Sequence, residues 1–293
     1  MSDVIKNVSD DNETDDNETL FNKELIEKAF SKAASNYDQA AAFQRQVGHL
    51  LLDKIDLALI GANAVNTSAV DTSTNKATKK ILDVGCGTGY FSQQLQGLGA
   101  QVTALDLSNK MLEQTKHRCA ESVVCVQGDA ENLPFTANQF DIGFSNLALQ
   151  WCDDLSQPLR QLQRVVKPGG KIYFTTLVDG SLFELIDAWK QVDQYQHVND
   201  FLTEREVKLA LAQSGAKTHH LEFLPITINY HKAIELMRDL KGIGATHIPN
   251  GRNTGLIRKS ALHKLELAYQ TFQNSQGLLP ATYQVCFGVI TND

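Results

Sequence analysis

Asp83-Val84-Gly85-Cys86-Gly87-Thr88-Gly89 decides the fold of this chain. The stretch follows a short apolar run, Lys80–Val84, and opens a helical pattern through Phe91 and Leu95. Strand, glycine-rich turn and helix in that order form the context a nucleotide-binding loop requires. Glycine permits a tight turn and lets a ligand approach the main chain where a Cβ would clash. The spacing is Gly-x-Gly-x-Gly, not the Gly-x-Gly-x-x-Gly of dinucleotide binders. No Gly-Lys-Ser/Thr follows, which excludes a triphosphate-binding loop. Asp83, just ahead of the glycines, would repel a pyrophosphate but could meet an amine or cation. Cys86 reads as a small filler, with no histidine beside it to activate a thiolate.

The same alternation continues outward. Gln101–Asp106, Val123–Gln127, Phe140–Asn146 and Lys171–Leu177 read as strands, and Asn109–Arg118 and Leu155–Val166 as helices. Lys167-Pro168-Gly169-Gly170 reads as the turn into the last of these strands. Strands alternating with helices imply a parallel sheet covered on both faces. Beyond it, 182–192, 203–213, 233–240 and 259–272 look helical, and 218–228 and 283–290 look like strands. Ahead of the core, apolar residues recur at helical spacing from Asn22 to Lys54, with a break near Tyr37. Residues 61–78 are rich in Ser, Thr, Asn and Ala without periodicity and read as a flexible insertion.

Ligands in open α/β sheets bind at the carboxyl ends of the strands. Asp106 ends the second strand, within reach of two ribose hydroxyls, and Ser108 is free to cap the helix that follows. Asp129 follows the third strand and can accept from an adenine amino group. Asn146 ends the fourth, beside the same crevice.

The 293 residues are 42% hydrophobic and 21% charged, the profile of a globular chain and not of a mostly disordered one. The net charge is −7, but residues 1–19 hold seven acids against Lys6 alone, which leaves −1 for the rest. That near-neutral body argues against general nucleic-acid binding, and 1–19 reads as a solvated acidic leader. No stretch approaches the roughly 20 apolar residues of a membrane span. No basic segment followed by an apolar one marks a secretory signal. A cytoplasmic location is therefore expected, with no membrane partner. Five cysteines without a Cys-x-x-Cys pair fit neither a disulfide framework nor a zinc ribbon, and the eight histidines show no metal spacing. No metal is expected.

Taken together, Ile81–Gly89, Val102–Met111, Gly128–Pro134, Phe140–Trp151 and Val166–Phe174 resemble the class I S-adenosylmethionine-dependent methyltransferases. The resemblance implies a Rossmann-like, doubly wound α/β fold with a seven-stranded, mostly parallel sheet whose last strand is antiparallel. It adds an N-terminal helical lid and a helical insertion near the C-terminus. It implies S-adenosylmethionine as co-substrate. The loop from Asp83 through Gly85, Gly87 and Gly89 would hold the methionyl part, and Asp106 the ribose. Leu107 and Met111 would pack the adenine, and Asp129 and Ala130 would meet its edge. One methyltransferase domain over 20–293 is expected: lid 20–60, insertion 61–78, cofactor-binding core 79–180 and acceptor-binding half 181–293.

Flanking segments narrow the resemblance. Phe30–Asp38, Met237–His247 with Gly251-Arg252, and Tyr283–Gly288 look like the malonyl-[acyl-carrier protein] O-methyltransferase family, which serves biotin synthesis. That likeness implies methyl transfer to the free carboxylate of a malonyl thioester, carried by acyl-carrier protein or coenzyme A. Two other readings keep the cofactor: methylation of a different small acceptor, by small-acid O-methylation or quinone C-methylation, and a regulator that binds without turnover. A carboxylate is already ionised at neutral pH and needs no general base, but it needs a cation to orient it. Residues 231–264 carry a local balance of +5. Within them Arg238, Lys241 and Arg252 are the candidates to grip the acceptor. The patch also suits docking of an acidic carrier. In the lid, Tyr37 could hydrogen-bond cofactor or acceptor, and Arg45 could pair with the methionyl carboxylate.

Overall fold

A computed structural model describes residues 22–56, 78–245 and 258–293. The acidic leader, residues 61–77 of the expected insertion, and Arg252 lie outside the described residues.

The sheet has seven strands in the order β3-β2-β1-β4-β5-β7-β6. These are β1 (Lys80–Val84), β2 (Gln101–Asp106), β3 (Val124–Gln127), β4 (Phe140–Asn146), β5 (Val166–Val178), β6 (Thr218–Tyr230) and β7 (Leu279–Thr291). The first five run parallel; β7 is antiparallel to both β5 and β6. In β1 every residue after Lys80 is buried, as a central parallel strand covered on both faces requires.

One face carries α3 (Ala42–Leu52), α4 (Tyr90–Gly97), α7 (Phe183–Lys190), α9 (Ala233–Gly242) and α10 (Lys259–Tyr269), through Val47, Leu95, Leu185, Leu236 and Leu265. The other carries α6 (Ser156–Val165) and α8 (Glu204–Ser214), whose Leu159, Leu162, Val207 and Leu211 are fully buried. Their i, i+3 and i+4 spacing is the amphipathic pattern legible in the sequence. Helix α5 (Asn109–Cys119) starts at Ser108, whose hydroxyl accepts the Met111 N–H at 3.2 Å. Before the sheet, α1 (Lys23–Ala33) and the short α2 (Tyr37–Ala40) lead into α3, with the expected break ahead of Tyr37.

Two local readings are revised. Lys167–Gly170 is no separate turn before a strand but part of β5, where the register against β4 slips between Phe140 and Ile142. Asn292 explains it. Its side-chain amide donates to the Val166 carbonyl at 2.7 Å, and its backbone N–H to the Gly170 carbonyl at 2.9 Å, pinning the bulge to β7. Second, β6 and β7 extend beyond 218–228 and 283–290, because they pair without interruption from Thr218–Thr291 to Tyr230–Leu279.

Gly288 of β7 lies opposite Phe174 of β5, and a Cβ there would sit 2.1 Å from the ring. Overpacking a close-packed core costs about 1–3 kcal/mol. Gly288→Ala should therefore lower the unfolding free energy by about that much in a denaturant melt; an unchanged midpoint would mean that the Phe174 ring is free to move aside.

Candidate active site

The strand order reverses between β1 and β4: the chain winds from β1 to β2 and β3, then returns to place β4 on the opposite side of β1. Connections leaving the two strands diverge there and open a crevice at the carboxyl ends. A cavity occupies it. Its floor is made by Gly85, Gly87, Asp106, Asp129 and Asn146, and its apolar wall by Leu107, Met111 and Ala130. Tyr37, Phe30 and Lys23 reach in from the N-terminal helices.

The loop is held from below. Gly85 and Cys86 donate their N–H groups to the Leu105 carbonyl at 2.8 and 3.0 Å. All three loop glycines have positive φ. A Cβ on Gly85 would meet Ala148 at 2.2 Å, and one on Gly89 would meet Thr115 within 3 Å; one on Gly87 would meet nothing within 4 Å. Two of the glycines are thus demanded by packing as well as backbone, while Gly87 presents bare main chain to open space.

Asp106 ties the loop to β2. One carboxylate oxygen accepts the Gly87 N–H at 2.9 Å, the other the Ser108 N–H at 2.8 Å. Each oxygen keeps lone-pair capacity for a second donor. Burial pushes this carboxyl up to about 6, against the backbone N–H groups that pull it down. Asp83 does not line the cavity. It lies 2% exposed behind the loop, accepting the Ser92 hydroxyl at 2.6 Å, and burial pushes it up to about 7. Gly89 likewise stays outside the lining. Burial drives the Cys86 thiol well above its ordinary value, so it is no ready nucleophile.

The N-terminal helices close over the crevice by named latches. Lys23 pairs with Asp129 and, at 2.6 Å, with Glu131. The Ser31 and Ser108 hydroxyls lie 2.8 Å apart, and the Thr88 hydroxyl donates to Asp38 at 2.7 Å. Asp38 also pairs with Arg118. Asn146 donates to the Gln44 carbonyl at 3.0 Å, and Phe30 meets Trp151 edge-on at 5.3 Å. Arg45 is outside the cavity lining; its guanidinium donates to the Asp38 carbonyl at 2.7 Å and rides over the Tyr90 ring.

A second cavity adjoins the first and shares Phe30, Tyr37, Leu147 and Trp151 with it. Its farther walls include Phe43, Leu240, Ile243 and Tyr283, with Gln44, Gln150, His197 and Asn199 as polar lining. Tyr37 stands at the boundary. Burial and the Asp106 and Asp38 carboxylates raise its phenol, which keeps it a hydrogen-bond donor at neutral pH. Arg238 and Lys241 of α9 line neither cavity. Both are exposed, because α9 turns Leu240 inward and leaves its charged positions to solvent.

The sequence reading thus placed Tyr37, Gly85, Gly87, Asp106, Leu107, Met111, Asp129, Ala130 and Asn146 in one pocket, and all nine line it. It did not anticipate Lys23, which carries no local signal of a partner 106 positions away. It also passed over His197, in a stretch with no periodicity. Among the described residues no group of three His, Cys, Asp or Glu is arranged to hold a metal, and no helix is long and apolar enough to cross a membrane.

The buried Asp83 makes a stability prediction. Its carboxyl titrates near 7 in the folded chain but near 4 when unfolded. Between those values the folded state holds a proton that the unfolded state has released, so this group makes stability fall as pH rises through that window. Asp83→Asn keeps the acceptor for Ser92 and removes the titration. Relative to the parent, the variant should gain stability between about pH 4 and about pH 7. Denaturant melts across that range check this, and a constant difference would show that Asp83 does not titrate there.

Comparison with known proteins agrees with this geometry. A methyltransferase-domain family model matches residues 82–174, from β1 into β5. The YcgJ protein of Bacillus subtilis superposes with a TM-score of 0.54 at 19% identity, covering 84% of this chain and 99% of its own, which bears on the fold alone. The malonyl-[acyl-carrier protein] O-methyltransferase of Serratia marcescens is 43% identical over 89% of this chain and 93% of its own. That of Yersinia pestis is 40% identical over 90% of each. Likeness of this extent shows that the chain belongs to the malonyl-[acyl-carrier protein] O-methyltransferase family.

Proposed function

We infer that this chain transfers the methyl group of S-adenosylmethionine to the free carboxylate of a malonyl thioester borne by an acyl-carrier protein. The observation that carries the reading is the pair of adjoining cavities, one with a cofactor-type floor, the other reached past Tyr37, in a chain about 40% identical to named malonyl-[acyl-carrier protein] methyltransferases.

The residues present suit the cofactor. Bare backbone at Gly87 leaves room for a ligand that a Cβ would crowd. Asp106 keeps two acceptor sites for ribose hydroxyls, Leu107 and Met111 offer an apolar slot for a base, and Asp129 and Ala130 stand at its edge. Thr88, Asp38 and Arg45 cluster beside the loop, where the amine and carboxylate of the methionyl end require polar company. When bound, the cofactor supplies an electrophilic methyl group on a sulfonium, with a neutral thioether as leaving group.

The protein's share is binding and alignment. The acceptor carboxylate is ionised at neutral pH, so no side chain has to remove a proton. Tyr37 remains protonated between the cavities and donates a hydrogen bond there. The latched lid excludes water, and holding two reactants in line accounts for a large part of such a barrier. Arg238 and Lys241 on α9, with Arg258, Lys259 and Lys264 nearby in sequence, form an exposed basic set. They act in docking the acidic carrier, and not inside the cavity.

Initial rates with labelled cofactor on malonyl-carrier, malonyl-coenzyme A and free malonate test the reading. The carrier-bound or coenzyme-bound acid should accept label and free malonate should not; label on neither thioester would overturn it. Asp106→Ala should weaken cofactor binding by about 1.5–3 kcal/mol, the range for bonds to a charged acceptor. In the parent, affinity should fall as pH drops through about 6, where the carboxyl gains its proton; calorimetric titrations of both proteins check this. Arg238→Glu with Lys241→Glu should raise KM for the carrier-bound substrate and leave that for the coenzyme A thioester unchanged. Equal changes for both would place these residues at the acceptor itself.

A further inference from the structure

Gripping a carboxylate needs a cation, and among the described residues lining the second cavity only His197 can become one. Three features prepare it. Its Nε2 lies 2.8 Å from the Asp193 carboxylate, with the side chain 12% exposed. An ionised carboxylate only accepts, so the Nε2 proton is fixed there. The other ring nitrogen, Nδ1, has no hydrogen-bond partner among the described residues. The imidazole also stacks on the buried Trp189 of α7, with ring centroids 3.6 Å apart and planes 9° from parallel. The stack fixes the plane of the ring. Asp193 thus holds one edge of the ring and the indole one face, which leaves Nδ1 as the unpartnered edge.

Asn199, two residues on, lines the same cavity. Its buried amide oxygen has no hydrogen-bond partner. Buried polar groups without partners are rare in folded proteins and call for a ligand or water. A side-chain amide can also turn its NH2 toward an anion.

We propose that His197, oriented by Asp193 and Trp189 and assisted by Asn199, holds the malonyl carboxylate in the second cavity. This rests on the proposed function for the identity of the acid. In the protonated ring Nδ1–H donates to the carboxylate, while Nε2–H remains on Asp193. Selectivity follows: a thioester without the terminal carboxylate has nothing for His197 to hold, and the methylated product has lost the charge that held it. Asp193 is a positioning residue here, since it reaches the acceptor only through the ring.

Binding separates this proposal from the reading it rests on. Calorimetry with malonyl-coenzyme A and acetyl-coenzyme A, each with S-adenosylhomocysteine present, measures the preference for the carboxylate without turnover. The parent should bind the malonyl form at least about tenfold more tightly, as one charge-assisted contact predicts. His197→Gln should erase that preference while the acetyl form and S-adenosylhomocysteine bind as before, which also shows that the variant is folded. Asp193→Asn should reduce the preference in part. A preference that survives in His197→Gln overturns the proposal, as does a parent with no preference. Failure of methyl transfer alongside an intact, His197-dependent preference would sink the proposed reaction and leave this site standing.

Discussion

Everything at this site depends on where the strand order turns back on itself. Because β4 pairs with β1 on the side opposite β2, the loops after β1 and β4 cannot close over each other, and the sheet leaves a crevice at its carboxyl edge. The loop after β1 then turns sharply through three glycines of positive φ. It is held to β2 by Asp106, whose two oxygens take the N–H groups of Gly87 and Ser108. The same carboxylate therefore braces the loop and lines the cavity. Burial raises it only to about 6 because the backbone donors offset much of the desolvation. Asp83, one strand away with a single hydroxyl for company, is driven higher by the same burial. The two acids thus differ in place: Asp106 lines the cavity, and Asp83 is sealed beneath the loop.

The lid completes what the sheet begins. Most of its latches join residues on α1, α2 or α3 to loops at the strand ends, and several end on groups that line the cavity. Lys23 sits on Asp129, at the edge where a base would lie. Arg45 and Thr88 both engage Asp38. Tyr37 belongs to the N-terminal helices, lines both cavities, and keeps its proton.

Much of this was legible in the sequence, for a definite reason. Parallel strands buried on both faces write themselves as apolar runs, and the ligand groups fall at their ends. Asp106, Asp129 and Asn146 could therefore be placed by counting to the close of each strand. The edge of the sheet was harder. The bulge at Lys167–Gly170 depends on Asn292, more than a hundred residues away, and no local pattern announces such a partner. The acceptor side was hardest. Positive charge in residues 231–264 pointed to Arg238 and Lys241, yet α9 is amphipathic: it buries Ala233 and Leu236, and the half-buried Leu240 lines the cavity in their place. His197 lies in an irregular stretch, and its contacts with Trp189 and Asp193 arise only in the fold.

The central claim is that two adjoining cavities bring a methyl donor to a carboxylate that needs no base. The most direct test is where the methyl group arrives. After a single turnover with labelled S-adenosylmethionine and malonyl-carrier protein, the account predicts label in a carboxyl methyl ester that mild alkali releases as methanol. Label that resists alkali, on carbon or nitrogen, or label absent from the malonyl group altogether, would contradict it.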